Sequence, residues 1–168
     1  MKTLPLSPFQ VDALSAIQMA AQERGWHGET ALVEGMLIYQ VPLPKDPDVA
    51  GAFFAVEANP PNILFYFLLP MAVARSAMAE AFEFVARHGA GMRFGALELD
   101  TANGTLRVRI DSDVGGDIEE TVARLIDRAR RAAQAVSADW RRLCQNAKAA
   151  AEIVSETLSK AADDGSGP

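Results

Sequence analysis

Neither proline nor glycine occurs between Asp117 and Asp164, and this uninterrupted run constrains the fold more than any other feature. Apolar residues recur in it at Ile118, Val122, Leu125, Ala129, Ala132, Val136, Trp140, Leu143, Ala147, Val154 and Leu158, mostly three or four apart, the spacing of one helical face. Gly115-Gly116 breaks the chain just before, and Asp117 followed by Glu120 has the form of a capping box. At about 1.5 Å per residue, roughly 43 helical residues reach about 65 Å, around twice the width of a small domain. The far half of such a helix outruns the sheet that its near half can cover. Either it bends near Ser137, which could cap a second segment, or Trp140, Leu143, Ala147 and Val154 pack against something outside the domain. A second copy of the chain is the expected cover, because homo-oligomers are the commonest way to bury such a stripe.

The preceding residues alternate between helical and strand signals. Ser7, Pro8 and Gln10 form a helix start, and Val11, Leu14, Ile17 and Ala21 mark an apolar face up to Gly25, predicting a helix from Pro8 to about Arg24. From Thr30 to Val41 the apolar period changes to two, which predicts a strand. A proline-stiffened connection through Asp46 and Asp48 follows, then strands over Ala50–Ala58 and Ile63–Leu69 joined at Asn59-Pro60-Pro61-Asn62. Pro70 is expected to end that strand, with a second helix over Met71–His88 carrying Met71, Ala74, Met78, Phe82 and Val85 inward. Asn103-Gly104 suits a two-residue hairpin loop, which would pair Leu99 with Val108, Leu97 with Ile110, Asp100 with Arg107 and Glu98 with Arg109. The expectation is an α+β fold of order α-β-β-β-α-β-β-α, an antiparallel sheet packed by helices. It forms one unit over 1–161, with a helical extension from about 137 and a disordered tail over 162–168.

Sixteen basic against 22 acidic residues, net −6, disfavour a polyanionic or anionic-membrane partner. The arginines between 124 and 142 are interleaved with Glu119, Glu120, Asp127 and Asp139, as on a solvated helix face. The longest strongly apolar segment, Ile63–Leu69, is far below the roughly 20 residues of a membrane helix. With no signal-like start and one cysteine, Cys144, a cytoplasmic setting is expected. Chemistry has little to build on. His27 and His88 lie far apart in sequence, Cys144 has no neighbouring cysteine, and no phosphate-binding or nucleophile motif occurs. A Cys144–His88 pair is weaker than the ordinary reading of Cys144 as a small helix residue. Asp111, Ser112, Asp113 and Asp117 lack the loop spacing of a calcium site and read as a capped turn. No catalytic, cofactor or metal residue is assigned.

Apolar surplus is the informative feature that remains. Ile63, Phe65, Phe67 and Leu69 alternate with Leu64, Tyr66 and Leu68, and Phe54 and Val56 with Phe53 and Ala55, so both sides of these strands ask for cover. The sheet is either sandwiched between the second and terminal helices, or one face is an interface for a dimer mate or an amphipathic segment.

The stretch Asn62 to Pro70, the Leu97–Ile110 hairpin and the Gly115-Gly116 helix start together resemble the YbjN family of candidate bacterial sensory-transduction regulators, over roughly 8–136. That family is similar in fold to the class I type III secretion chaperones. The resemblance implies a non-enzymatic, often dimeric domain whose relatives bind protein segments. The family frequently has an asparagine near the end of the second helix, where this chain has Arg87-His88-Gly89. The expected function is therefore chaperone-like protein binding or regulation by a homodimer without cofactor. Candidate interface residues are Phe53, Phe65, Phe67, Val136, Trp140, Leu143, Ala147 and Val154. The alternative is a small-molecule sensor whose pocket is lined by Phe53, Phe65 and Phe67.

Overall fold

The computed structural model describes residues 5–93, 95–113 and 116–164, with side chains over 5–93, 95–112 and 116–147. Helix α1 (Pro8–Glu23) opens on the expected capping box: the Gln10 N–H donates to Ser7 Oγ (3.2 Å), and the Ser7 N–H to Gln10 Oε1 (3.1 Å). Gln10 is buried, and its Nε2 also donates to the Gly35 (2.9 Å) and Val56 (3.1 Å) carbonyls. Those two bonds fix the rotation of α1. Ala13, Ala16, Ile17, Ala20 and Ala21 face inward, small enough for close approach, while Val11 is turned outward at 52% exposure.

The segment expected as one strand from Thr30 is a hairpin, β1 (Glu29–Val33) and β2 (Met36–Pro42). Its two-residue turn places Glu34 and Gly35 at positive φ, 51° and 84°. Glutamate in a left-handed position gives no turn signal, so period-two apolarity masked the break. Strands β3 (Gly51–Ala58), β4 (Pro61–Ala72), β5 (Ala96–Leu99) and β6 (Thr105–Asp113) complete an antiparallel sheet of order β1-β2-β3-β4-β6-β5. The α+β class and the succession of elements are otherwise as expected.

Pro70 does not end its strand. β3 stops pairing at Leu68, and β4 continues along β6 through a register shift between Leu68 and Ala72, where a residue without an N–H costs no ladder bond. After a 3-10 turn (Arg75–Ala77), α2 spans Met78–Gly89 and turns Ala81 and Phe84 inward. Met71 is thus a strand residue at φ 72°, and Phe82 is 52% exposed.

In the β5–β6 hairpin, Leu97 opposes Val108, Leu99 opposes Leu106 and Glu98 opposes Arg107, two residues from the expected register. The loop is longer than Asn103-Gly104 alone. The Asp100 N–H bonds the Thr105 carbonyl (2.9 Å), and the Asp100 carboxylate accepts from the Ala102 N–H and Asn103 Nδ2 (both 2.9 Å), so Asp100 organises the loop instead of pairing with Arg107. Gly104 is needed there. Its φ is +73°, and a Cβ would lie 2.3 Å from the Val73 carbonyl oxygen.

Helix α3 (Ile118–Asp164) starts with the Asp117 carboxylate accepting the Glu120 N–H (3.0 Å) and runs unbroken through Ser137. The Ser137 hydroxyl donates to Asp48 Oδ1 (2.7 Å) and caps no second segment. All three helices cover one face of the sheet. Leu37, Tyr39, Phe54, Val56, Ile63, Phe65, Phe67, Val108 and Ile110 are buried there. Trp26, just after α1, meets Phe67 edge-on at 6.1 Å, the Arg130 guanidinium of α3 stacks on the same ring at 4.7 Å, and Trp140 of α3 packs on Phe84 of α2 at 5.4 Å. The expected alternative of helices on opposite faces is not adopted, because α2 and α3 pack on each other.

Candidate binding surfaces

The two groups considered for chemistry differ in setting. Cys144 is buried on α3, and burial pushes its thiol up to about 11, leaving it protonated at neutral pH. The His88 ring lies on Phe84 at 4.0 Å, its Nδ1 is 3.1 Å from the Phe84 carbonyl, and its Nε2 is 3.6 Å from Asp139 Oδ2. Asp111 pairs with Arg109 and Asp117 caps α3. Among the described residues, no three of His, Cys, Asp and Glu come together as a metal group.

The candidate interface residues are distributed over several surroundings. Phe65 and Phe67 have no exposed surface, Trp140 is likewise fully buried, and Val136 is 5% exposed. These four belong to the chain's own core and offer nothing to a partner. Trp140 has its cover within the chain, since β4 extends far enough for Trp140 Nε1 to lie 3.4 Å from the Met71 carbonyl. Phe53 points to the opposite side of the sheet from Phe65 and Phe67, so the three do not line a common pocket. Leu143 and Ala147 remain half-buried, and the side chain of Val154 lies outside the described residues.

Two surfaces remain. The first is the sheet face without helices. At its centre Ile38, Phe53, Leu64, Tyr66 and Leu68 are each only partly covered, around a buried Ala55. Phe53 and Tyr66 oppose each other on β3 and β4, with their rings stacked at 4.3 Å and 12°. One flank is a strip of ion pairs: Glu98 bonds Arg107 (2.9 Å) and Arg109, and Arg109 also reaches Asp111 (2.9 Å). Burial alone would lower the Arg109 pKa, but Asp111 and Glu98 outweigh it and hold the guanidinium firmly charged. Burial raises the Tyr66 phenol, aided by the Glu98 carboxylate. Two cations thus face two anions across the strip, and an apolar patch with an ion-paired polar rim is the usual anatomy of a protein-binding surface.

The second surface is a groove of about 860 Å³ between α2 and α3, lined by Ala77, Phe84, Leu143 and Ala147 and by the polar side chains of Glu80, His88, Asp139 and Arg142. Its α3 side runs from Asp139 to Ala147.

A solved structure shares this architecture. The crystal structure of YbjN, described as a candidate transcription regulator from E. coli, aligns with a TM-score of 0.53 at 16% identity, covering 82% of this chain and 96% of that one. The fold is YbjN-like. No family model matches the chain, and no curated protein does. No helix among the described residues is long and apolar enough to cross a membrane.

Within this YbjN-like fold, α3 is fixed by the connection between β2 and β3. Asp46 pairs with Arg130, and Asp48 accepts from Ser137 (2.7 Å) and Arg141 (3.4 Å), whose guanidinium also bonds the Pro47 carbonyl (3.0 Å). Burial would raise the Asp46 carboxyl, but the Asp48 N–H and Arg130 outweigh it, and the group stays below the usual carboxylate range. The sequence shows a polar loop here; that its carboxylates serve α3 depends on contacts about 90 residues apart, which no local pattern reports.

Proposed function

We propose that this chain is a non-catalytic regulatory domain of the bacterial cytoplasm that works by binding another protein, with the helix-free face of the sheet taking an apolar stretch of the partner in a chaperone-like way. The supporting observation is the one-sided cover. β4 is apolar on both faces, yet all three helices pack on the Phe65 and Phe67 side, leaving Leu64, Tyr66 and Leu68 with solvent as their neighbour. An apolar face of that kind on a sheet is retained against aggregation when it has an occupant. The YbjN neighbour, itself described as a candidate regulator, is compatible with such a role.

The test is site-specific photo-crosslinking in the source cell, with the reactive group at position 64 or 68 and, as control, at Val11 on the exposed side of α1. Discrete-mass adducts at 64 and 68, absent at 11 and lost on Tyr66→Lys, are the expected result. The same adducts at all three positions, or none at 64 and 68, would overturn the reading.

A further inference from the structure

Helices α2 and α3 run antiparallel where they line the groove. The His88 ring near the end of α2 approaches Asp139 on α3 (Nε2 to Oδ2, 3.6 Å), Phe84 packs on Trp140 one turn back, and Ala77, just before α2, shares the groove with Ala147 further along α3. Each wall is a single stripe: Glu80, Phe84 and His88 recur every fourth residue on α2, as do Asp139, Leu143 and Ala147 on α3. The His88–Asp139 contact bridges the stripes and closes one end. That blind end is an aromatic pair, His88 lying on Phe84 at 4.0 Å, which suits an apolar body. At the other end Ala77 and Ala147 contribute only methyl groups, and the space between the helices remains as a volume of about 860 Å³, within the roughly 300–1,000 Å³ of small-ligand sites. A helix of another protein fits it poorly. The α3 wall is only about 12 Å long at about 1.5 Å per residue, and a helix laid along it would run into the His88–Asp139 contact.

Charge selects among small ligands. His88 and Arg142 both turn to Asp139, with Arg142 Nη1 3.6 Å from Asp139 Oδ1. Glu80, the other carboxylate of the lining, has no ion-pair partner among the described residues, and Arg87 on the same helix is bound to Glu83. Two carboxylates thus stand against one permanent cation, in a chain whose net charge is −6. An anionic ligand would meet Glu80 uncompensated, whereas an ammonium group would pair with it. We infer that the α2–α3 groove is a binding site for a small amphipathic amine, its apolar body against Phe84, Leu143 and Ala147 and its ammonium group beside Glu80. Ser76 Oγ and Asn146 Oδ1, also in the lining, supply acceptors for the remaining ammonium hydrogens. The site is separate from the helix-free sheet face, so such a ligand would act on the domain without occupying the surface proposed for a protein partner.

The test is an amide NMR titration of the isotope-labelled full chain with three probes that share one apolar body: phenylbutylamine, phenylbutanol and phenylbutyrate. Phenylbutylamine should give saturable shifts at Ala77, Glu80, Leu143 and Ala147 and bind about tenfold more tightly than phenylbutyrate, with the alcohol between them. Glu80→Gln should weaken the amine about threefold to fivefold, the size of one exposed charge pair, and leave the alcohol unchanged. Ala147→Phe, which fills the open end from a half-buried position, should abolish binding of all three probes while the amide spectrum of the sheet stays as in the wild type. The absence of saturable shifts along the groove at millimolar phenylbutylamine overturns the inference. Equal affinity for the amine and the carboxylate also does so, as does amine binding that ignores Glu80→Gln. Saturable shifts confined to Phe53, Tyr66 and Leu68 would place the ligand on the sheet face and overturn it as well. None of these failures touches the crosslinks at 64 and 68, which test the protein-binding reading by themselves.

Discussion

Neighbouring residues on β4 allow the one-sided cover to be measured. Phe65 has no exposed surface and lies between Phe54 (4.4 Å) and Phe67 (4.8 Å). Replacing it with alanine removes a ring that no neighbour can replace, and such core truncations cost about 3–5 kcal/mol in transfer and cavity terms together. Leu64, one residue away, lies half-buried on the helix-free face. Its truncation opens a dent that water fills, so the cavity term vanishes and part of the transfer term remains, about 1 kcal/mol. For a chain of this size 1 kcal/mol moves Tm by about 2–4 °C. Phe65→Ala should therefore lower Tm by about 6–20 °C, and Leu64→Ala by about 2–4 °C. Phe67→Ala and Leu68→Ala form a second pair with the same expected contrast.

The assay is urea and thermal unfolding followed by far-ultraviolet circular dichroism, at low micromolar concentration where association is weakest. Total stability of about 5–15 kcal/mol is large enough for the core variants to be measured in most of that range, with Phe65→Leu as a milder substitute. A Leu64→Ala cost equal to that of Phe65→Ala in a monomeric sample would refute the reasoning. It would mean that the outer face is packed by the chain itself, and the proposed binding surface would lose its basis. A Leu64→Ala cost that grows with protein concentration would instead place a second copy of the chain on the sheet face.

Two further outcomes follow from local geometry. Gly104→Ala should cost about 2–4 kcal/mol by urea unfolding, because it adds left-handed strain to a 2.3 Å approach to the Val73 carbonyl; Gly89→Ala, whose Cβ meets no atom within 4 Å, should be near neutral. The Asp46 carboxyl, lower in the folded chain than in the unfolded one, contributes stability that is complete above the unfolded carboxylate pKa and is lost as pH falls through the folded value. Asp46→Asn should thus cost about 1–2 kcal/mol at neutral pH, with the difference from wild type shrinking below about pH 4 in a series of urea melts.

Signals confined to a few residues were readable in the sequence. The Ser7–Gln10 and Asp117–Glu120 caps, the turn between β3 and β4, and the two-faced apolarity of β4 all rest on contacts within a few positions. What alternation cannot report is a shift by two, which keeps every side chain on its face; hence the sides of β5 and β6 follow from the pattern and their register does not. Nor does alternation say which face receives the helices. That is decided where Trp26 and Arg130 both converge on Phe67 and where Phe84 meets Trp140, contacts between segments remote in sequence. Phe53, Phe65 and Phe67 looked alike as sheet phenylalanines, yet Phe53 stands across the sheet from the other two.

The connection between β2 and β3 clamps the near half of α3. Arg130, Ser137 and Arg141 are all tied to the β2–β3 connection, and between them Ala133, Val136 and Trp140 are buried against the chain's own core. Three anchors over eleven residues, about three helical turns, fix both the height and the direction of the helix on the sheet. Just past the last anchor, Cys144 is the final buried side chain of the described stretch, and the groove opens beside Leu143. The clamp thus sets the direction in which α3 leaves the sheet. Because the groove lies in the helical layer and the apolar patch lies on the opposite face of the sheet, an occupant of one surface would leave the other open. Binding at the two surfaces would then proceed without competition.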